Sequence, residues 1–173
     1  VIRNARELVW YPSEVDTSIR TGWFYHPEED TDVRTAGELL DIYLDAVGAN
    51  ASLLLNIPPD THGRIAAPDC ASLTELGTKI QQIFASNVTE KAKITADSAI
   101  AQHPITQAVD GMADTYWQAA YGQESDTITL NFPKPQKVSC VVLGEHLPTG
   151  QRIESGEIWA DGSKASEFTV VGH

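Results

Sequence analysis

Two segments in the first half of the chain carry apolar side chains at the three-to-four residue spacing of an amphipathic helix. They are residues 36–48 and 67–84, and Gly48 closes the first segment as a C-cap residue would. Asp69 stands in the first turn of the second segment, where a negative charge is favoured by the helix dipole. The apolar faces consist of Leu39, Leu40, Tyr43, Leu44 and Val47 in the first segment, and of Leu73, Leu76, Ile80, Ile83 and Phe84 in the second.

Three shorter apolar stretches in the same half are typical of β-strands. Residues 7–12 and 22–26 are rich in aromatic and apolar side chains, and Pro12 ends the first stretch. Residues 51–59 form a continuous apolar run closed by two prolines, which predicts a strand buried on both faces, as in a parallel sheet. The order strand, strand, helix, strand, helix predicts part of an α/β layer fold. Because three strands cannot close a barrel, the pattern indicates the last piece of a larger domain.

The pattern changes near residue 85, where helical apolar faces give way to short alternating stretches separated by turns that contain Pro or Gly. Such a succession of short strands predicts an all-β sandwich. We therefore place a boundary within residues 85–93 and assign residues 1–86 to the α/β domain and 87–173 to the sandwich. The strands are expected at residues 126–132, 137–143, 155–161 and 167–172.

Composition excludes several classes of function. The net charge is −12, and an acidic chain lacks the basic face that nucleic-acid binding requires. No run of about 18 apolar residues is present, so we expect no membrane span. The five His show no metal-ligand spacing, and Cys70 and Cys140 do not make a disulfide framework.

Two tripeptides have the N-x-S/T pattern of glycosylation acceptors, Asn50-Ala51-Ser52 and Asn87-Val88-Thr89. The first adjoins an apolar run and is expected to be buried. On the sequence alone, chance occurrence is the favoured interpretation of both.

Residues 10–26, "WYPSEVDTSIRTGWFYH", combine two Trp, two Tyr and one Phe with one Glu, one Asp, one Arg and one His. Aromatic rings around a few polar groups suit a sugar pocket, because sugar C–H faces pack on rings and hydroxyls need polar partners. Trp10 and Trp23 are therefore either pocket walls or core residues.

Glu14 follows the predicted strand at residues 7–12, and reacting groups of β/α barrels lie at the C-terminal ends of strands. Desolvation by Trp10, Tyr11 and Trp23 would favour its protonated form, as a glycosidase general acid requires. The alternative is a surface carboxylate beside an aromatic edge.

The other polar side chains of this region also have two interpretations each. Asp16 would share one face of an extended chain with Glu14, and Arg20 could neutralise it, most simply as a structural ion pair. His26 is either a pocket group or, preferably, a hydrogen-bonded core or rim histidine. Asn56 either reaches the pocket from the end of its strand or caps the turn before two prolines.

The stretches "WYPSEVDTSIRTGWFYH" and "ELLDIYLDAVGANASLLLNIPPDTHGRI" resemble the C-terminal part of the catalytic domain of α-L-fucosidases, glycoside hydrolase family 29. The family pattern is W-x-P-x-E-x-D-x-S-I-R-x-G-W-F-Y/W-H, then S/A-V-G-x-N and L-L-L-N-x-P-P-D-x-x-G, and residues 8–84 match it nearly throughout. The chain departs from it at Thr21, where Pro is usual, and at Ala49, where Arg is common.

The resemblance implies a retaining hydrolase on a (β/α)₈-like barrel, with no cofactor for catalysis. Glu14 would be the acid/base, and the nucleophilic Asp would lie upstream of Val1, on the remainder of the barrel, which is then a required partner. The W-x-P-x-E form is similar to the branch that acts on α-1,3/1,4-linked fucose, so the substrate would be a fucosylated oligosaccharide or glycoconjugate. Substrate contacts would come from Trp10, Asp16, Arg20, Trp23, His26 and Asn56.

The stretch "HPITQAVDGMADTYWQAA", residues 103–120, resembles discoidin-like or family-32 carbohydrate-binding sandwiches through the pattern A-x-D-G-x-x-x-T-x-W. In such domains the D-G loop often binds a structural Ca²⁺, which would assign Asp110 and Asp114 as ligands. The alternative is a tight turn that uses Asp for its own hydrogen bonds. Trp117 is expected in the core rather than as a sugar platform.

The sequence thus predicts a fragment of a secreted or periplasmic exo-acting α-L-fucosidase, lysosomal in type if eukaryotic, with a C-terminal β-sandwich. The alternatives are a non-catalytic carbohydrate-binding or adhesion protein, and a fucosidase of broad specificity.

Overall fold

A computed structural model of the protein describes residues 12–171. The chain divides into two compact units, Val1–Gln82 and Ile83–His173, and each is described by itself. The strand expected at residues 7–12 and the side chain of Trp10 lie outside the described residues, apart from Pro12.

The first unit is built on a parallel pair of strands, β1 (Glu14–Ser18) and β2 (Ser52–Asn56). Their register runs from Glu14 opposite Ser52 to Ser18 opposite Asn56. Helix α1 (Ala36–Val47) lies between them in the chain, because parallel neighbours need a crossover rather than a tight turn. Helix α2 (Ala67–Phe84) follows β2, so the α/β character predicted for this half is confirmed.

Both helices agree with the apolar pattern, and α2 has the predicted bounds. A capping box that the sequence analysis did not predict fixes the start of α1. In it, Thr35 Oγ1 accepts the backbone N–H of Glu38, and the Glu38 carboxylate accepts the backbone N–H of Thr35. Gly48 caps the other end, but with φ −66°, and the left-handed residue that turns the chain toward β2 is Asn50, at φ 63°.

Two strand predictions in this unit need correction. Residues 22–26 form bends that lead into a 3₁₀ turn, Pro27–Glu29, because the Ser18 hydroxyl binds Gly22 O at 2.8 Å and reverses the chain there. The strand lies earlier, at β1. The run 51–59 does contain a parallel strand, but Leu54 is 52% exposed, so the strand is not buried on both faces within residues 12–171.

The core of the first unit lies where the end of β1 meets the two helices. Ile19 and Leu39 are almost fully buried, and Ala36 and Leu76 pack with them. Partly buried side chains surround this cluster, namely Val33, Leu40, Leu55, Ile57, Leu73 and Ile80.

The second unit contains two antiparallel strand pairs. Strand β3 (Lys93–Ala96) pairs with β4 (Ile128–Asn131), and β5 (Ser155–Ala160) pairs with β6 (Ser163–Thr169). The predictions at 126–132 and 155–161 are therefore confirmed in substance. The described residues show these two separate pairs, and a sandwich of packed sheets stays a prediction.

A two-residue turn joins β5 to β6 and sets the start of β6. Asp161 and Gly162 both have positive φ, 49° and 80°, as a type I′ hairpin turn requires. The return strand therefore begins at Ser163, earlier than the predicted residue 167. Opposite Phe168 stands Gly156, where a β-carbon would overlap the phenylalanine ring.

The strand predicted at residues 137–143 is wrong, because this segment has no strand pairing. An apolar run becomes a strand only where a neighbour accepts its backbone hydrogen bonds, and no such neighbour occurs among residues 12–171. The segment leaves Val138, Val141, Val142 and Leu143 exposed.

No helix within residues 12–171 is both long enough and apolar enough to cross a membrane.

Candidate functional site

The C-terminal ends of β1 and β2 meet at one edge, where polar side chains hold the following loop. Asn56 Nδ2 donates to Ser18 Oγ and to Trp23 O, both at 3.1 Å. Ser18 Oγ also donates to Gly22 O, and Ile19 N donates to Asn56 O at 3.0 Å. These bonds fix the strand-edge loop, residues 19–26, to the last residues of both strands.

The buried side chain of Arg20 also holds this loop in place. It is 1% exposed, and its Nε donates to Asp69 Oδ2 at 3.1 Å while Nη2 lies 2.9 Å from Asp69 Oδ1. Nη2 also donates to Asp30 Oδ1 at 2.7 Å, and Nη1 donates to His26 O at 3.2 Å. One buried guanidinium therefore joins β1, the loop after it and the first turn of α2.

The electrostatics of this cluster are balanced by the two carboxylates. Burial lowers the pKa of Arg20, but hydrogen bonds and charge attraction from Asp69 and Asp30 outweigh it, so the net direction is upward. The guanidinium carbon lies 4.8 Å from the centre of the Tyr25 ring, a cation–π contact. Burial and the nearby charge of Asp30 raise the pKa of the Tyr25 hydroxyl.

The anchored loop presents aromatic surface outward. Trp23 is 51% exposed and Phe24 is 78% exposed, although the backbone around them is hydrogen-bonded. His26 also has an exposed side chain, and only its carbonyl oxygen is used by Arg20. Fixed aromatic surface beside polar groups is the combination that packs against a sugar ring.

Glu14 is exposed and is the first residue of β1, and Asp16 lies on the same face two residues later. Glu14 is four residues from Ser18, so the two lie about 13 Å apart along an extended strand.

The predicted pairing of Arg20 with Asp16 is wrong, since Asp30 and Asp69 neutralise the guanidinium. Arg20 is also too deeply buried to contact a substrate in this structure, so its role is to position the loop. Asn56 ends its strand, and its amide holds the turn that carries Trp23 instead of capping the turn before Pro58 and Pro59, while its reach into a pocket stays a prediction.

In the second unit, Asp110 serves its own turn. Its Oδ1 accepts the backbone N–H of Met112 at 2.9 Å, and Thr115 Oγ1 donates to the same carboxylate at 2.7–2.8 Å. Asp114 is exposed nearby in sequence. Within the described part of the chain, no three His, Cys, Asp or Glu side chains converge as metal ligands, so side chains alone do not make a Ca²⁺ site. Trp117 is half-buried and donates Nε1–H to Ser98 O.

Three residues that hold the strand-edge loop were not among the predicted site residues, namely Ser18, Asp30 and Asp69. Asp69 was recognised only as an acidic residue at a helix start, although its side chain is fully buried. A buried Arg requires a buried acid to balance its charge, so Arg20 was the residue that could have indicated a buried Asp partner.

Both a family model and a curated protein relate this chain to alpha-L-fucosidases. Residues 3–82 match the family model described as Alpha-L-fucosidase. Alpha-L-fucosidase 1 of Arabidopsis thaliana is 34% identical over 151 residues, which cover 84% of this chain and 29% of that protein. The chain therefore spans less than a third of the length of this curated relative.

Solved structures give the same similarity. A Ruminococcus gnavus GH29 fucosidase in complex with fucose superposes with a TM-score of 0.81 at 28% identity, over 94% of this chain and 34% of that one. A candidate alpha-L-fucosidase from Bacteroides thetaiotaomicron has the same TM-score at 31% identity, over 95% and 38% of the two chains.

Proposed function

We propose that this chain is part of a glycoside hydrolase that releases fucose from glycans, because residues 3–82 match the alpha-L-fucosidase family model. The observation that carries the proposal is that family match. The Ruminococcus gnavus relative, which was solved with fucose, supports a fucosylated substrate. The parallel strands with a polar, aromatic C-terminal edge are consistent with it, because barrel enzymes place their sites at that end.

The contribution of this chain to the substrate site would be the strand-edge loop. In this proposal Trp23 supplies the ring that packs on the sugar, and His26 supplies a polar group beside it. Asn56 and Arg20 act through the backbone they hold, which keeps the ring in place at little entropic cost when the sugar binds.

In its finer form the proposal is a retaining, exo-acting enzyme for α-1,3/1,4-linked fucose, with Glu14 as acid/base. An exposed carboxyl beside Asp16 on β1 supports the availability of Glu14. In that role it would protonate the glycosidic oxygen that joins the fucose to its leaving group, and then take the proton of the attacking water.

The test uses the polypeptide in which these residues occur naturally. The length of that polypeptide is first determined from its intact mass under denaturing conditions. We expect Glu14→Gln to lower kcat/KM for a fucosylated glycan by about 10²–10⁴-fold, the usual contribution of a general acid. The kcat/KM for an aryl fucoside with an acidic leaving group should fall less, because such a leaving group departs without protonation. Asp41→Asn, which neutralises an exposed acid on α1, is the control, and an equal loss in both variants would refute the role of Glu14.

Two alternative functions are separated by the same assays. A non-catalytic carbohydrate-binding protein would bind fucosylated glycans but release no fucose. An enzyme of broad specificity would hydrolyse the aryl fucoside and a branched trisaccharide comparably, whereas the α-1,3/1,4 enzyme should prefer the branched glycan.

For the second unit we propose a carbohydrate-binding-type sandwich, and for the whole protein a secreted or periplasmic location. The antiparallel pairs β3–β4 and β5–β6 are compatible with a sandwich. A structural Ca²⁺ at Asp110 and Asp114 would need backbone carbonyl ligands in addition. Added Ca²⁺ should then raise the melting temperature of the wild type and not that of Asp110→Asn, and no rise in the wild type would count against the site.

A further inference from the structure

The structure distinguishes the two N-x-S/T tripeptides, which the sequence treats alike. Asn50 is exposed, so the expectation that it is buried is wrong. However, Asn50 occupies a left-handed position, and Ser52 is already the first residue of β2. The backbone N–H of Ser52 donates to Ser13 O at 2.8 Å, which commits this tripeptide to the strand pair.

The second tripeptide lies in an open turn. Asn87 is exposed and precedes the 3₁₀ turn Val88–Lys91. Its Oδ1 accepts two hydrogen bonds from Thr89, one from the backbone N–H at 3.0 Å and one from the hydroxyl at 2.7 Å. Within the described residues its Nδ2 has no hydrogen-bond acceptor, so the amide nitrogen faces solvent.

We propose that Asn87 is an acceptor site for N-linked glycosylation and that Asn50 is not. In the transfer, Asn87 Nδ2 forms a bond to C1 of the first sugar of a lipid-pyrophosphate-linked oligosaccharide. The bond between that C1 and the pyrophosphate oxygen breaks, the lipid pyrophosphate leaves, and the amide loses one Nδ2 proton to a base of the transferase.

The two hydrogen bonds on Oδ1 prepare the amide for this step. Loss of an Nδ2 proton places negative charge on Oδ1, and donors to that oxygen favour the charged form. Both bonds join residues two positions apart, so they form locally and do not require the rest of the unit to be folded. Ser52 has no such bond to Asn50 among the described contacts.

The proposal rests on the extracellular location proposed above and is independent of fucosidase activity. The chain is therefore produced behind a signal peptide in yeast, and total membrane and secreted material are pooled, so that poorly folded copies are also counted. Glycans are removed with a peptide N-glycosidase in oxygen-18 water, which converts each glycosylated Asn to labelled Asp. Tryptic peptides are then quantified by mass spectrometry.

We expect labelled Asp at position 87 in most copies and unlabelled Asn at position 50. Asn87→Gln and Thr89→Val should abolish the glycan, and Thr89→Ser should retain it, because serine keeps both the backbone N–H and a hydroxyl donor. Asn50→Gln is the matched control and should leave the glycoform pattern unchanged. Unmodified Asn87, or equal occupancy of the two sites, would overturn the proposal.

Discussion

Removal of the Arg20 guanidinium should lower the free energy of unfolding of the first unit. The loss should be larger than the loss on breaking an exposed ion pair on its helices. Arg20→Ala leaves Asp69, with a fully buried side chain, without its cation, and also removes donors from Asp30 and His26 O. Breaking a buried pair by deleting one partner costs about 3–5 kcal/mol. We expect the lower end, about 3 kcal/mol, because the Asp30 side chain is 38% exposed and can be rehydrated.

The assay is urea unfolding followed by the helical circular dichroism signal, which reports the first unit because α1 and nearly all of α2 belong to it. A unit of this size has an m-value of roughly 1–2 kcal/mol per M, so the midpoint should fall by about 2 M. Lys79→Ala is the control, since it breaks the exposed Lys79–Glu75 pair on α2 and should cost about 0.5 kcal/mol or less.

A second variant separates charge imbalance from lost packing. Arg20→Met combined with Asp69→Leu removes both charges and should recover much of the lost stability, because an apolar pair of similar volume carries no desolvation cost. If Arg20→Ala costs no more than Lys79→Ala, the guanidinium is not the anchor of the strand-edge loop.

Three further changes test other parts of the structure. Gly156→Ala should destabilise β5–β6 by about 1–3 kcal/mol, because the new methyl overlaps the Phe168 ring; thermal melts measure this, and an unchanged melting temperature would contradict the contact. Asn56→Ala removes two hydrogen bonds and should accelerate amide exchange in residues 19–26, at about 1 kcal/mol per bond, whereas unaltered exchange would mean that the loop holds itself. Hydrogen bonds from the backbone N–H and the hydroxyl of Thr35, the N-cap residue of α1, lower the pKa of Glu38. The ionised carboxylate therefore stabilises the folded unit above the unfolded pKa of about 4.3, and this stabilisation is lost as pH falls through the folded pKa. Unfolding free energies should therefore show Glu38→Gln less stable than the wild type at neutral pH and equal to it near about pH 2, and a pH-independent difference would be inconsistent with the cap.

Periodicity predicted those elements whose formation depends on local pattern. Helix α2 has the predicted bounds because one apolar face and its start signals coincide over the whole segment. The prediction at residues 22–26 failed because the same residue types can line a strand or an exposed loop. The side-chain bonds of Ser18 and Asn56 decide between the two, and the Asn56 bond comes from a residue 33 positions away from Trp23.

The candidate site was predictable in part. Aromatic and polar composition drew attention to residues 10–26, and the structure joins Trp23 to Asn56 at the end of β2, whereas the role of these residues in a substrate site stays a prediction. The partners of Arg20 were not predictable, because Asp69 is 49 residues away and nearer carboxylates looked equally suitable. Position within a strand also depends on pairing register, and the periodicity did not predict that Glu14 would pair with Ser52 at the start of β1.

The long separation between Arg20 and Asp69 has a consequence for the order of folding events. The β5–β6 hairpin closes through a two-residue turn, and hairpins form in about 1–10 μs. The Arg20–Asp69 contact must instead close a 49-residue loop and waits for α2 to dock. Contacts made after the transition state alter mainly the unfolding rate. The Arg20–Asp69 pair is therefore expected to slow unfolding of the first unit without accelerating its folding.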